Sequence, residues 1–579
     1  MALAYGDFHE LSHQLRFLLF EVGIGLPQRS VDYFITLAHR ECLQRLQQAA
    51  LMEGLTDTAI ASHHVHDFLD QLEAKLKQRQ PASIFFHWQR LRDTLDETIA
   101  NEAMAEIYRQ RWQSTLARQA KNYSRFWDWL AAENNVHESM QLLEQWGIRA
   151  HPYYPDFRAK MGFNRREVLQ YSPEFNAQVS LHWGALHRKE AYLSDSQINY
   201  KTMMAGQFPK EYKLWQEKLL FKHSNPDDYY PLPIHPWQWR NQIQKHFSTL
   251  IDDKALILLP HHQPVNPSMS FRTMMPLEAS AYLKVSLAVH DSNTEPGIRK
   301  TSITNNPSLS LWLNKLLEKE QYYEQSLYIT SDLGSLTVSD SSLLTYSPRN
   351  QLALLVSENP CTLIKENQRI VPQAALFAQS PLSNRPLLLE IIEASRLNPF
   401  DYFSRYCQCL LEGQLHLLLW YGIAFEANQQ NTLLILDNHK PKALVLRELE
   451  GICFSEHRAY SERFQPVQHS DIAMTTTSID AVRNKFVQTN LQENLAIWIS
   501  CLSHHYSLSA KKLWQIVKIT LQKNLSKMAS EIEPELFAWQ QKHLLSEIWL
   551  YPCLLSQRLQ GDLKNIYQRS PNLLIESRE

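Results

Sequence analysis

Apolar positions recur three and four residues apart through the first quarter of the chain. Phe8, Leu11, Leu15, Leu18, Leu19 and Val22 fall on one helical face, and Gly25 followed by Pro27 reads as its stop. The same period runs through 31–51, 60–77 and 82–130, so residues 1–145 are expected to form a helical unit. From about Gly147 the pattern shortens. Proline clusters at Pro152 and Pro155 and again at Pro231, Pro233 and Pro236, and strand-length apolar runs occupy 255–259, 281–290, 327–330, 352–356 and 369–377. Residues 146–398 therefore read as mixed α and antiparallel β. Past Pro399 a helix over 401–421 leads into two apolar strands, 432–436 and 443–449, joined by a polar turn from Asp437 to Lys442. The stretch 479–574 reads as helical again, so 399–579 is expected to be a mostly helical unit carrying one β hairpin. The fold class is α+β.

Composition narrows the function classes. The chain has 579 residues, enough for about three or four domain-sized units. Its 58 Lys and Arg against 60 Asp and Glu leave a formal charge of −2, which argues against a broadly basic nucleic-acid binder. Glycine numbers 14 in 579, roughly a third of the average usage of about 7%. Neither a phosphate-binding GxxxxGK[ST] loop nor a GxGxxG turn occurs, since Gln28 stands where the third glycine after Gly23 and Gly25 belongs. A nucleotide here must be held by side chains. Seven scattered cysteines without a CxxC pair fit reduced thiols in a cytoplasmic protein rather than a disulfide framework. The N-terminal segment carries acids where a secretion signal has a basic-then-apolar layout. No run of 18 apolar residues occurs, so no membrane association is expected.

Four segments carry candidate chemistry. In the first, Ser268, Ser270 and Arg272 would share a strand face. Beyond a turn holding Pro276, Tyr282, Lys284, Ser286 and His290 alternate with Leu283, Val285, Leu287 and Val289. Such a hairpin gathers a hydroxyl, a guanidinium and an ammonium into a phosphate clamp that needs no glycine loop. Period alone favours the plainer reading, a solvated polar face. The second places Glu426 and Asn431 before a hairpin and Arg447 and Glu448 after it, hard oxygen donors of the kind that hold Mg²⁺ on polyphosphate. The third, His235-Pro236-Trp237-Gln238-Trp239, read alone is rather a rigid turn pinned by buried indoles. The fourth runs from His151 through the cationic pair Arg158 and Lys160 to Phe163, and read alone is rather a solvated loop. His63, His64 and His66 cannot all face one way on a helix and read as a solvated face rather than a metal site.

Together these segments resemble the NRPS-independent siderophore synthetases of the IucA/IucC, or aerobactin-synthetase-like, family. The resemblance rests on HPxxPxxRxKxGF beginning at His151, and on HPWQW at His235. It rests also on SxRT at Ser270 with Lys284 twelve residues beyond Arg272, on ExxxxN from Glu426 to Asn431, and on RExxG from Arg447 to Gly451. It implies a cupped-hand architecture, with a helical thumb (1–145), β-containing fingers (146–398) and a palm (399–579), usually as a homodimer. It implies an AMP-forming ligase that uses ATP and Mg²⁺. A carboxylate of citrate or a citryl monoamide is activated as an acyl-adenylate with release of pyrophosphate, then passed to an amine or hydroxyl nucleophile.

By matching positions, Ser270, Arg272, Thr273, Lys284, His151, Arg158 and Lys160 would hold ATP. Arg272, Lys284 and Arg299 would be catalytic, Arg299 with Asn428 would bind the acid, and Glu426, Asn431 and Glu448 would hold Mg²⁺. Three departures stand out. Asn428 replaces a site histidine and has no imidazolium to offer, Glu448 stands where Asp is usual, and the stretch between Lys284 and Arg299 is longer than common, while Tyr154 and Arg158 replace His and Lys. A kinase-like phosphotransferase and an inactive scaffold are the alternatives. The identity of the nucleophile, and the choice among citrate, 2-oxoglutarate and citryl monoamide, are not encoded in any motif.

Overall fold

A computed structural model describes residues 7–148, 154–194, 199–278, 281–289, 297–320, 323, 326–339, 349–457, 475–561 and 566–575. The helical N-terminal pattern becomes His9–Glu21, Gln28–Met52, Val65–Arg79, Trp88–Gln119, Phe126–Glu133 and Val136–Trp146. The single pattern expected over 82–130 is broken after Gln119, where Lys121, Asn122 and Ser124 interrupt the apolar period. Asn135 and Glu138 then start the last of these helices with a reciprocal capping box. His63 and His64 precede the helix Val65–Arg79, and among the described residues no His/Cys/Asp/Glu group forms a metal cluster.

Trp88–Gln119 is 32 residues long, about 48 Å at 1.5 Å per residue, and it joins two cores. Leu91, Leu95, Ile99, Ala103 and Ile107 pack into a core shared with the largest sheet. Trp112 and Leu116, one to two turns further on, pack into a core shared with the C-terminal helices. Burying apolar faces at both ends fixes this helix to both bodies of the molecule.

The largest sheet has eight strands. Their order is Ala191–Leu193, Asp332–Val338, Ala353–Glu358, Ala281–Val285, Thr273–Pro276, Leu256–Pro267, Val179–His187 and Tyr229–Ile234, every neighbour antiparallel. A second sheet orders Gln368–Pro372, Thr432–Asp437, Lys440–Leu446 and Leu327–Ile329, the last pair parallel. Thr330 and Ser331 alone separate Leu327–Ile329 from Asp332–Val338, so the chain steps directly from the second sheet into the first. That step brings the ends of both sheets together.

Several sequence expectations shift. The strand expected over 281–290 ends at Val285, and that over 369–377 ends at Pro372, where Gln373–Leu376 turns helical. The hairpin after Pro399 is Thr432–Asp437 with Lys440–Leu446, closed by Asn438 and His439 at φ 48° and 65°; two left-handed residues match the right-handed twist of the strands. The C-terminal stretch is not wholly helical. Ile548–Pro552 pairs with Tyr567–Pro571, and the β-branched and aromatic run Ile548, Trp549, Leu550, Tyr551 explains the strand.

Candidate active site

The clamp is built differently from the expected strand face. Residues 268–272 form a tight connection between Leu256–Pro267 and Thr273–Pro276. Ser268 N donates to Thr273 O at 2.8 Å and Thr273 N to Ser270 O at 2.8 Å, while Ser268 Oγ donates to Ser270 O at 3.0 Å. Ser268, Ser270 and Arg272 therefore do not alternate along a strand, because a serine that bonds the backbone two residues on favours a turn. The hairpin itself forms, with Thr273 directly opposite Lys284. Val285 N donates to Arg272 O at 2.9 Å, and Arg272 Nη1 donates to Gly297 O at 3.0 Å. Gly297 has φ +92°, and a Cβ there would stand 2.1 Å from Asn350 O, so only glycine fits. Arg299 follows at once as the residue before the helix Lys300–Lys319.

Ser270, Arg272, Thr273, Lys284 and Arg299 line one cavity of about 390 Å³. Its opposite wall comes from the second hairpin, whose flanks carry Glu426, Asn428, Asn431 and Glu448 into the same space. Lys284 Nζ lies 3.4 Å from Asp332 Oδ1 and 3.5 Å from Glu448 Oε2. Burial pushes the Lys284 pKa down, but Asp332, Glu448 and Glu450 outweigh it, and the ammonium is held well above its ordinary range. Asp332 is itself fixed by Asn306 Nδ2 at 3.1 Å and by the Ser357 hydroxyl.

The acidic wall is crowded. Burial and then Glu448 raise the pKa of Glu450, whose Oε1 accepts from Ser302 Oγ at 2.9 Å. Burial raises Glu493 to about 7; Gln488 opposes this, Glu426 adds to it and Lys485 opposes it. Glu426 Oε2 lies 3.4 Å from Lys485 Nζ. Asn428 Oδ1 accepts from Gln430 N at 3.1 Å and Asn431 N at 3.0 Å, so it closes the turn that presents Asn431. Asn431 Nδ2 donates to Glu426 O at 3.2 Å.

Arg158 and Lys160 also line the cavity, but as buried groups rather than a solvated loop. Arg158 Nε pairs with Glu102 Oε2 at 2.6 Å, and Lys160 pairs with Glu174. His151 lies outside the described residues. The HPWQW segment stands behind the hairpin. His235 Nδ1 accepts from Trp237 N at 3.1 Å, and Trp237 packs edge-on against Phe163. Gln238 Nε2 donates to Gln351 O at 2.8 Å and its Oε1 accepts from Ala288 N at 2.8 Å. Those bonds pin the chain that leaves Lys284. Asp332, Glu450, Glu493 and Lys485 carry no motif and were missed; their only sequence signal is charge inside otherwise apolar or helical stretches.

The profile of the IucA / IucC family matches residues 139–378, which hold the clamp. Over that span the chain is similar to the IucA / IucC family. A second profile, described as a ferric iron reductase FhuF-like transporter, matches 401–565. An uncharacterized protein y4xN of Sinorhizobium fredii is 28% identical over 456 residues, covering 74% of this chain and 70% of that protein. A citryl-spermidine/3,4-dihydroxybenzoyl-citryl-spermidine:spermidine ligase of Bacillus anthracis is 23% identical, covering 77% of this chain and 69% of its own. The fold matches the petrobactin biosynthesis protein AsbB of Bacillus anthracis with a TM-score of 0.76 at 18% identity, over 93% of this chain and 96% of that one. It also matches ATP-bound aerobactin synthetase IucA of Klebsiella pneumoniae, TM-score 0.67 at 17% identity, over 89% and 88%. Ser270, Arg272, Thr273, Lys284 and Arg299 on one side and Glu426, Asn428, Asn431 and Glu448 on the other line one cavity.

Proposed function

We propose that the chain is an ATP-dependent, AMP-forming ligase that joins a citrate-type carboxylate to an amine in siderophore assembly. The observation that carries this reading is the convergence of Arg272, Lys284 and Arg299 with Glu426 and Glu448 on one cavity. The kinship to named citrate–amine ligases and the likeness to an ATP-bound synthetase support it. Ser270, Arg272 and Thr273 hold the triphosphate. Arg299 holds the acid, and Lys284 neutralises charge gathering on the α-phosphate as the carboxylate oxygen attacks it. The new bond is carboxylate oxygen to phosphorus, and pyrophosphate leaves with the electron pair of the broken bond. A polyanion brought to a polyanion needs fixed cations between them, and such preorganised charge is commonly the largest catalytic contribution. Positioning supplies most of the remainder.

Glu426, Glu448 and the Asn431 side chain are hard oxygen donors, and Glu448 and Glu426 add like-charge repulsion to the burial that raises Glu450 and Glu493, repulsion that a divalent cation relieves. Mg²⁺ takes one or two carboxylates and completes its shell with phosphate and water, a set these donors can supply. When bound, it would neutralise polyphosphate charge.

The test is acid-dependent ATP–pyrophosphate exchange over a panel of citrate, citryl monoamides and 2-oxoglutarate. Exchange with AMP as final product supports the ligase. ADP as product supports the kinase-like reading suggested by the Asn and carboxylate placement across a hairpin. Exchange with none of the acids removes the ligase reading.

A further inference from the structure

A second cavity, of about 940 Å³, adjoins the first. Ile148, Arg158, Met269, Asn428 and Gln430 line both, so the two are separated by one layer of side chains beside the turn that Asn428 closes. The character of the two differs. The smaller cavity is ringed by ionised groups. The larger has apolar walls from Phe34, Leu37, Ala374, Phe377 and Ile497, built by Gln28–Met52 on one side and Ala496–Tyr506 on the other. Its size suits a small organic substrate.

Its charged groups do not balance. Glu102 is taken by Arg158 at 2.6 Å, and Arg109 donates to the carbonyls of Trp146 and Ile148 at 3.0 and 2.9 Å and stands 3.8 Å from Glu106. Around the outer part stand Arg40, Arg45 and Glu41, with His504 and His505 on the facing helix. Glu41 pairs with Arg45 at 2.7 Å. That leaves the exposed Arg40 as the surplus charge.

We propose that this second cavity seats the amine nucleophile, and that its apolar walls and cationic outer end select an amine carried on an aliphatic stem that ends in a carboxylate, the diamino-acid class, over simple diamines and polyamines. The inference rests on the ligase reading above. The amine nitrogen meets the activated carbonyl at the shared wall beside Asn428 and Gln430. Its lone pair forms the C–N bond, the acyl C–O bond to phosphate breaks, and AMP leaves with that electron pair. The surplus proton of the amine passes to solvent through the open cavity. A polyamine would gain less here, since Arg45 and Arg109 already stand against Glu41 and Glu106 and its remote ammonium would meet the surplus charge of Arg40.

The experiment uses the full chain with whichever acid supports ATP–pyrophosphate exchange. Amide formation is followed by mass spectrometry with ornithine and 2,3-diaminopropionate against putrescine, cadaverine and spermidine. The expected result is a higher kcat/KM for the diamino acids. Arg40→Glu is expected to reduce that preference about tenfold, because reversing an exposed charge counts twice over its removal, and Arg40→Lys to retain it. Arg40 is exposed on a helix, so the folding of both variants is readily checked by their melting curves. Exchange with the acid but a preference for diamines or polyamines, or a preference that Arg40→Glu leaves unmoved, overturns the inference while the ligase reading stands. No exchange with any acid removes both.

Discussion

The Lys284 ammonium stands 3.4 Å from the carboxylate of Asp332, a residue 48 positions away in the chain and on the strand that enters directly from the second sheet. The pair is buried, with side-chain exposures of 12% and 3%. A buried lysine without such a partner would lose its proton; with it, the charge is kept ready for the nucleotide.

Two variants separate holding the charge from using it. Lys284→Ala removes the charge at the phosphates, and adenylation is expected to fall by about 10²–10³, the cost of one lost oxyanion contact of about 2.7–4 kcal/mol. Asp332→Ala leaves a buried cation with Glu448 alone and strips acceptors from Asn306 and Ser357, so it should also lower stability by about 3 kcal/mol. Urea unfolding alongside pyrophosphate exchange distinguishes the two. Exchange at the wild-type rate in Lys284→Ala would falsify the clamp.

The glycine of RExxG supports the acidic wall by being small. A Cβ on Gly451 would lie 1.9 Å from Glu426 Oε2 and 2.4 Å from Glu426 Cβ. Gly451→Ala must therefore displace Glu426, and the Mg²⁺ concentration for half-maximal exchange is expected to rise, as it should for Glu448→Gln. The magnitude should be about tenfold or more, in the range seen when metal ligands are disturbed. An unchanged Mg²⁺ requirement in both variants would place the metal elsewhere.

What the sequence disclosed and what it hid have physical causes. The paired hairpins were legible because period and turn chemistry are local: Thr273 opposite Lys284, and Thr432 opposite Leu446, follow from alternating apolar runs about a turn. The connection carrying Ser270 and Arg272 was read as strand because a period-2 count cannot register a serine hydroxyl that bonds its own backbone. Asp332 was hidden for a different reason. Its role depends on a strand step between two sheets and on neighbours drawn from Asn306 and Ser357, none of which has a sequence period. Glu493 lies in a stretch expected only to be helical, and period does not reveal that Val487–Leu495 is a wide helical stretch in which every residue but Gln488 is buried.

Asn428 is tied to the turn by two backbone donors. Imidazole offers one acceptor nitrogen and a different reach, so Asn428→His is expected to loosen Asn431 and to lower both stability and exchange. Loss of the two bonds should cost about 1–2 kcal/mol. Asn428→Asp keeps the acceptor oxygens and should hold the turn. If Asn428→His instead raises exchange with citrate, the side chain at this position reaches the acid and does not serve the turn alone.

The HPWQW histidine gives a pH signature that the metal-side carboxylates do not mask. His235 is fully buried, and burial, then His182 and Arg240, hold its pKa down to about 3. An unfolded histidine titrates near 6.5. Between about 6.5 and 3 the unfolded chain takes up a proton that the folded chain refuses. This contribution to stability is therefore complete above about 6.5 and is lost as pH falls, at up to about 1.4 kcal/mol per pH unit. Glu493 acts in the opposite sense. Its folded pKa of about 7 exceeds the ordinary carboxylate value, so folding gains as pH drops from about 7 toward 4.5. The total slope is a balance, and a difference isolates the histidine. His235→Asn keeps the acceptor for Trp237 N and has no proton to refuse. Urea midpoints measured from pH 7.5 to 4.5 should fall less steeply in the variant, by about one proton's worth. Parallel curves for the two proteins would mean that His235 is protonated in the folded state and that its environment is not the dry one the HPWQW turn provides.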